Sequence, residues 1–151
     1  MPAEPAIKSE RDLEGYVSPD PDEDWRYDNL RKAAKRFKGE RAIFAGVTDV
    51  FNIVKDYLRG DMGLFTDMIR NPRFIHRLME IVLNYQISYM KNCREAGADF
   101  FFINGDYAVT NGPMISTKMA AEFLMPNLKA IVDCVHKTRT TGGPLTKGGK
   151  N

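Results

Sequence analysis

The chain has 151 residues, of which 43% are hydrophobic and 28% charged, and its formal net charge is +2. This composition is typical of a soluble globular protein and excludes a collagen-like, a mucin-like and a wholly disordered chain. The small net charge gives no reason to expect a nucleic-acid partner, no window approaches the roughly 18 apolar residues of a membrane span, and the first residues lack the basic and apolar regions of a signal peptide. We therefore expect one cytoplasmic domain with no membrane or nucleic-acid partner, in which Cys93 and Cys134 are free thiols.

Charge is unevenly distributed near the start of the chain. Residues 1–24 carry eight acidic and two basic side chains and four of the eight prolines, a composition that buries little and favours an extended segment. Residues 25–41 carry seven basic and two acidic side chains. No aromatic residues alternate with these bases, so a solvated helix face is favoured over a face that binds anions or nucleic acid. We therefore predict an acidic, proline-rich extended segment over 1–24 and a folded domain over 25–151.

The rest of the chain alternates between helical and strand patterns. Apolar residues at helical spacing predict helices over 25–38, 49–60, 64–71, 72–96 and 117–138. Their expected N-terminal caps are Asp24, Thr48 or Asp49, Asn71 and Ser116. Pro126 lies inside the last helical pattern and is expected to break or kink it near Leu124.

Short apolar runs predict strands over 41–47, 99–104 and 144–147. The four consecutive apolar residues from Phe100 to Ile103 show no alternation, which indicates a strand that is covered on both faces.

This order of elements predicts an α/β fold whose parallel strands are joined by long crossover helices. Such a succession fits a doubly wound sheet or a (β/α)8 barrel. A complete barrel needs eight strands and about 250 residues, whereas this chain offers about three strands. We therefore expect a fragment of a (β/α)8 TIM barrel, or a chain that assembles with something else. Because open strand edges invite pairing with another chain, one expected assembly is a homo-oligomer formed through those edges.

The candidate functional residues follow the strands, because sites in parallel α/β folds form at the carboxyl ends of strands. They are Thr48 and Asp49 after the first strand, Asn104, Asp106, Tyr107 and Asn111 after the second, and Lys147 after the third. Asp49 taken alone is more simply a helix cap. Asn, Gly and Asp at 104–106 are also ordinary turn residues, and for Asp106 we weigh a functional role and turn chemistry about equally.

The histidines and cysteines lack the spacing of a metal site. His76, Cys93, Cys134 and His136 form neither a C-x-x-C nor an H-x-x-x-H pattern, so no zinc site is expected within this chain. The chain also has no G-x-G-x-x-G or G-x-x-x-x-G-K-[ST] pattern for nucleotides and no G-x-S-x-G pattern of a hydrolase.

Several motifs, by their order and spacing, resemble the uroporphyrinogen decarboxylase superfamily. The segment GADFFFINGDYA at 97–108 is similar to the family's "AGAD" strand and the acidic loop after it. The segment NGPM at 111–114, Ser116 and EFLMP at 122–126 are similar to its following loop and its "S-x-x-x-F-x-x-F-x-x-P-x-x-K" helix. FAGVT at 44–48 and YLRG at 57–60 resemble an earlier strand-to-helix segment, and PDP at 19–21 resembles the start of a bacterial methyltransferase-like branch. The resemblance spans roughly 16–147.

The resemblance implies a (β/α)8 barrel and one of two activities. Uroporphyrinogen decarboxylases remove carboxyl groups from the acetate side chains of a porphyrinogen without a cofactor. This chemistry needs a proton donor, polar groups that hold the pyrrole nitrogens, and cations for the substrate carboxylates. Related members are corrinoid-dependent methyltransferases that use zinc to activate a thiol.

The chain also departs from the family pattern. The family's arginine-rich N-terminal segment, its first barrel strand with a central aspartate and its C-terminal strands have no counterpart here. Gly105 stands where the acidic loop often has an aspartate, and Lys147-Gly-Gly149 stands where methyltransferase-like members tend to have His-x-Cys or His-x-Asp. That replacement removes a zinc ligand, so we expect neither a metal nor a cofactor.

The sequence therefore supports three hypotheses. The first is a partial uroporphyrinogen decarboxylase-type protein of haem biosynthesis, whose tetrapyrrole substrate contacts Asn104, Asp106 and Tyr107, with Thr48, Asp49 and Asn111 beside them. The second is a methyl-transfer protein for corrinoid or thiol substrates, favoured by the Pro-Asp-Pro start and the Asn-Gly-Pro-Met loop and opposed by the missing His-x-Cys. The third is a catalytically inactive, truncated remnant.

Overall fold

The computed structural model of the protein describes residues 4–137, which form an α/β arrangement dominated by helices. The first half contains helix α1 (Glu10–Glu14), a 3-10 turn (Asp24–Tyr27), α2 (Asp28–Phe37), strand β1 (Phe44–Thr48), α3 (Val50–Ile53), a π-helical turn (Val54–Leu58) and α4 (Asp61–Arg70). The second half contains the long α5 (Pro72–Glu95), strands β2 (Phe100–Asn104), β3 (Ala108–Val109) and β4 (Gly112–Pro113), α6 (Thr117–Met119), a second π-helical turn (Ala120–Leu124) and α7 (Met125–Lys137).

The predicted helices and the first two predicted strands are present, with shifts of a few residues at their ends. The predicted third strand at 144–147, which includes Lys147, lies outside the described residues.

Strands β1 and β2 pair in parallel, so the predicted βαβ succession is confirmed for these two strands. Phe44 lies opposite Phe100 and Thr48 opposite Asn104. The pairing begins one residue earlier, where the Asp99 backbone N–H donates to the Ile43 carbonyl at 2.7 Å and the Ile43 N–H donates to Asp99 Oδ2 at 2.8 Å. This register brings the carboxyl ends of both strands to the same edge of the sheet.

The two faces of this sheet differ in burial. Ala45 and Val47 of β1 are buried against the helices, whereas Phe44 and Phe102 on the opposite face are each 59% exposed. The prediction that β2 is covered on both faces is therefore wrong for the described residues. Side chains alternate along a pleated strand, and here only one of the two sets meets a helical layer.

The hydrophobic core lies between the helices that follow and join the strands. Its fully buried side chains include Phe51 of α3, Phe74 and Leu78 of α5, and Phe123 of the second π-helical turn. The basic residues of α2 remain exposed, as expected for a solvated face, and no residue of that helix is buried. Within residues 4–137, no helix is both long and apolar enough to cross a membrane.

The acidic N-terminal segment is more ordered than its composition predicts. Ile7 is fully buried and Leu13 is 5% exposed. The Ile7 backbone N–H donates to the Leu58 carbonyl at 2.7 Å, and the Arg59 guanidinium donates to the Lys8 carbonyl at 2.9 Å. The expectation that this segment buries little is wrong at these residues, because Ile7 and Leu13 join the hydrophobic core and a backbone hydrogen bond ties Ile7 to the first π-helical turn.

Helix ends follow the sequence signals in part. Asp49 and Ser116 cap α3 and α6 as predicted, each accepting a backbone N–H three residues later. Asn71 precedes α5 but its side chain makes no capping hydrogen bond, and Asp24 lies inside the 3-10 turn rather than capping it. These two capping predictions are wrong, because residue type alone does not fix the side-chain direction that a cap requires.

Pro126 does not break the last helix. The second π-helical turn ends at Leu124, and α7 then runs from Met125 to Lys137. In an α-helix the proline ring would clash with the carbonyl four residues earlier. The wider turn immediately upstream relieves this conflict. The helix therefore continues without the predicted break, and the irregular turn ends at Leu124, the position where a break or kink was predicted.

Candidate functional site

The centre of the candidate site is the Asp49 carboxylate, at the carboxyl end of β1. Asp49 is 1% exposed. Its Oδ1 accepts the Asn52 backbone N–H at 2.7 Å, and its Oδ2 accepts the Asn52 side-chain amide at 3.0 Å. The predicted capping role of Asp49 is therefore confirmed.

Tyr107, from the loop after β2, is the third hydrogen-bond donor to this carboxylate. Its hydroxyl donates a hydrogen bond to Asp49 Oδ2. Burial, and then the hydrogen bond and charge of Asp49, raise the pKa of the Tyr107 phenol above its usual value. The hydroxyl therefore stays protonated and remains a donor at neutral pH, and it links the ends of the two strands.

Gly105 allows this approach. A Cβ built on Gly105 would overlap both Asp49 Oδ2 and the Tyr107 hydroxyl. A side chain at this position would force the Asp49 carboxylate or the Tyr107 ring to shift, so glycine preserves their hydrogen bond. This accounts for the glycine at the place where the resemblance to the family led us to look for an aspartate.

Thr48 and Asn104 lie side by side at the end of the sheet, on its uncovered face. The Asp49 backbone N–H donates to the Asn104 carbonyl at 2.9 Å, and the buried Gln86 amide donates to the Thr48 carbonyl at 3.0 Å. Backbone groups thus fix both residues, and the Asn104 side chain remains exposed.

The loop beyond Tyr107 forms a small hairpin from β3 and β4. The Met114 backbone N–H donates to the Tyr107 carbonyl at 2.9 Å, which closes the loop on the site. Asp106 and Asn111 are exposed, and within residues 4–137 neither side chain forms a hydrogen bond. The structure therefore joins Asp49, Tyr107, Thr48 and Asn104 through direct contacts, whereas Asp106 is adjacent in sequence and Asn111 lies in the hairpin turn.

A cleft of about 460 Å³ borders Thr48 at the free edge of β1. Its wall combines a guanidinium, three phenol rings and an amide, supplied by Arg26, Tyr57, Tyr85, Tyr89 and Gln86. Tyr85 and Tyr89 stack with centroids 6.2 Å apart. Sequence reasoning did not identify this cleft, because its residues come from elements far apart in the chain.

Sequence reasoning also missed Lys55. It is 6% exposed, and its Nζ lies 3.9 Å from Met114 Sδ in the loop that closes on Tyr107. The sequence did offer one signal for its burial. Lys55 lies four residues after the buried Phe51, and residues four apart lie on the same face of a helix.

The arrangement presents hydrogen-bonding groups at the carboxyl edge of a parallel sheet. A carboxylate and an amide at Asp106 and Asn104 are free to accept and donate hydrogen bonds to a polar ligand. Residues 4–137 contain no group of three or more His, Cys, Asp or Glu side chains placed to hold a metal ion.

Comparison with known proteins identifies the family. A search of the curated proteins gives no match. The family model described as Uroporphyrinogen decarboxylase (URO-D) matches residues 2–145, nearly the whole chain. With this match, the chain belongs to the uroporphyrinogen decarboxylase family.

Proposed function

We propose that this chain carries part of the substrate face of a porphyrinogen decarboxylase. In this reaction an acetate side chain on a pyrrole loses carbon dioxide and gains one proton, and a methyl group remains. The observation that carries the proposal is the Asp49–Tyr107 hydrogen bond, which joins the carboxyl ends of two parallel strands in a chain of this family. Active sites of barrel enzymes lie at this edge.

The candidate residues divide into two roles. Asp106 and Asn104 are exposed and would hold the pyrrole N–H groups, since a carboxylate oxygen accepts such hydrogen bonds and stabilises positive charge that develops on a protonated ring. Asp49 and Tyr107 already bind each other and would position the loop that carries Asp106. Thr48 and Asn111 would make polar contacts with the substrate at the edge of the site.

The uncovered face of the β1–β2 sheet carries Phe44, Phe102, Thr48 and Asn104, with the polar pair at the carboxyl end. Inside a TIM barrel, bulky side chains fill the interior and polar residues lie at the carboxyl ends of the strands, and this face shows the same order. We therefore propose that β1 and β2 are neighbouring strands of a (β/α)8 barrel. DNA sequence that continues the reading frame on both sides of this chain into further strand-and-helix units would support this, and unrelated flanking sequence would contradict it.

The test of the activity is an anaerobic assay with uroporphyrinogen of the purified chain, alone and within the whole protein that its reading frame encodes, with products separated by their number of carboxyl groups. Replacing Asp106 by Asn is expected to lower kcat/KM about 100-fold, the size of effect seen when a preorganised charge-stabilising group is lost. Asp28→Asn, an exposed carboxylate on α2, serves as the matched control and should leave turnover unchanged. Equal turnover of Asp106→Asn and the native chain would contradict the assigned role.

Methyl transfer is the second candidate, favoured by the Pro-Asp-Pro segment. In the structure that segment is held in place: the Pro21 carbonyl accepts the Asn92 amide at 3.0 Å and the Tyr27 hydroxyl. Zinc content and methyl transfer from a methylcorrinoid to a thiol would favour this function. A chain that shows neither activity and is flanked by unrelated DNA sequence would identify the third hypothesis, an inactive remnant.

A further inference from the structure

Lys55 is a buried cation whose ammonium group has poor partners. The side chain is 8% exposed. Its Nζ lies 3.5 Å from Asp56 Oδ1 and 3.9 Å from Met114 Sδ. An ammonium group has three N–H donors, a thioether is a weak acceptor, and a strong N–H···O bond is about 2.7–3.2 Å long.

The surroundings of Lys55 leave its charge incompletely balanced. Asp56 is one quarter exposed on its side chain and remains partly solvated, so its carboxylate offsets the lysine charge only in part. Burial of an ammonium group is costly unless the group is paired and hydrogen-bonded. An additional anionic group beside Nζ would therefore gain a charge-assisted hydrogen bond that the protein itself does not fully supply.

The position of Lys55 connects it to the candidate site. Met114, which contacts its ammonium group, is hydrogen-bonded through its backbone N–H to the Tyr107 carbonyl, and Tyr107 in turn binds Asp49. Lys55 also lines a surface cleft of about 420 Å³ with Arg59 and Gly60. The buried cation therefore contacts Met114, whose backbone closes the loop on Tyr107, and borders a surface opening.

The local backbone sets this position. Lys55 belongs to the first π-helical turn, which inserts an extra residue into the helical register after α3. Such turns occur often at functional sites. In this turn Lys55 is buried together with the apolar Val54 and Leu58.

We propose that Lys55 is a specificity-determining residue that binds a carboxylate side chain of the substrate. The inference rests on the proposed function, since a porphyrinogen carries several carboxylates and its decarboxylase needs cations to hold them. The incoming carboxylate replaces the Met114 thioether at Nζ. The flexible methionine side chain can move aside at small cost.

The experiment measures binding of uroporphyrin, the oxidised form of the proposed substrate, to the full chain by titration of porphyrin fluorescence. Lys55→Met is expected to raise the Kd about tenfold, as for the loss of one charge-assisted hydrogen bond. Lys55→Arg keeps the charge and should stay within about threefold of the native Kd. Lys91→Met, which removes an exposed lysine of α5, is the matched control and should leave the Kd unchanged.

The outcomes separate this inference from the proposed function. A native Kd for Lys55→Met, or no uroporphyrin binding by the native chain, overturns the role of Lys55, even if the chain decarboxylates uroporphyrinogen. A raised Kd for Lys55→Met, with no decarboxylase activity either in the chain or in the whole protein that contains it, supports Lys55 and overturns the proposed reaction. Lys55→Gln replaces Lys55→Met if circular dichroism shows that the latter does not fold, and the same Kd criteria apply to it.

Discussion

Asp49 shows how one residue can satisfy a structural role and still shape a site. Its carboxylate accepts two hydrogen bonds from Asn52 and one from Tyr107. The bond from the Asn52 backbone N–H is the helix cap that the sequence predicted. The bond to Tyr107 is additional, because a cap needs no partner from the next strand. The functional role of Asp49 stays a prediction, and it is one of positioning.

Replacing Gly105 by Ala tests the close approach beside this carboxylate. The added methyl group would overlap the Asp49 carboxylate and the Tyr107 hydroxyl, so the loop must shift. We expect the free energy of unfolding to fall by about 1–3 kcal/mol, the usual cost of overpacking. Urea denaturation measures it. Gly15→Ala is the control, since nothing lies within 4 Å of a Cβ at Gly15. A loss no larger than that of the control would show that the loop accommodates a side chain.

Tyr107 also makes stability depend on alkaline pH. Its pKa is raised in the folded chain, so above about pH 10 the unfolded chain loses a proton that the folded chain retains. Stability from this group is complete below that pH and falls as the pH rises. Tyr107→Phe should therefore give a shallower decline of the unfolding free energy between about pH 9.5 and 11. Parallel curves for Tyr107→Phe and the native chain in urea titrations would refute this; Tyr57→Phe, on a half-exposed ring, is the control.

At the scale of elements, Ser116 and Asn71 have similar capping propensity, but only Ser116 forms a capping hydrogen bond at the start of its helix. The Ser116 hydroxyl accepts the Met119 backbone N–H at 3.2 Å, whereas the Asn71 side chain makes no capping bond. Ser116→Ala should lower the unfolding free energy by about 1 kcal/mol, and Asn71→Ala by less than about 0.5 kcal/mol. Thermal or urea unfolding of both variants gives the comparison, and equal losses would contradict the assignment.

Element types were predictable where apolar spacing is long and regular. The 24-residue α5 follows from its apolar stripe, with Pro72 at its first turn and Gly97 after its end. Gly97 has a φ of 110°, and a Cβ there would overlap Ala34 of α2, so both its backbone and its neighbour require glycine. The parallel pairing of β1 with β2 followed from the order of elements.

Other features were not predictable from local pattern. The π-helical turns depend on how neighbouring helices constrain the register, and no residue type signals them. Helix α1 was missed because an acidic, proline-rich composition hides the two apolar side chains that hold it, Ile7 and Leu13. At the site, positions after the strands could be named, but the Asp49–Tyr107 bond and the buried Lys55 depend on the tertiary fold.

For the molecule as a whole, the uncovered sheet face is the feature most open to experiment. Phe44 and Phe100 stack on it with centroids 5.7 Å apart, and Phe102 lies beside them. An exposed apolar patch of this kind binds partners or promotes association. Where no further barrel strands cover this face, as in the isolated chain, we propose that copies of the chain associate through the face and the free strand edges.

The double variant Phe44→Ser, Phe102→Ser should therefore bind less hydrophobic dye and show a smaller mass by light scattering than the native chain. Val17→Ser removes an isolated apolar side chain that is 86% exposed, and it should change neither signal. A native chain that is monomeric at all concentrations would overturn the proposed association.

The parallel pairing of β1 with β2 also has a consequence for synthesis on the ribosome. The hydrogen bond that opens the pairing joins residues 56 positions apart, Ile43 and Asp99. The first strand therefore stays unpaired while the ribosome synthesises α3, α4 and α5. Helices form locally and faster than distant strands pair, so these three helices can assemble first and present a finished surface to both strands. A nascent chain stalled just before Phe100 would then be rich in helix and still lack any sheet between these strands.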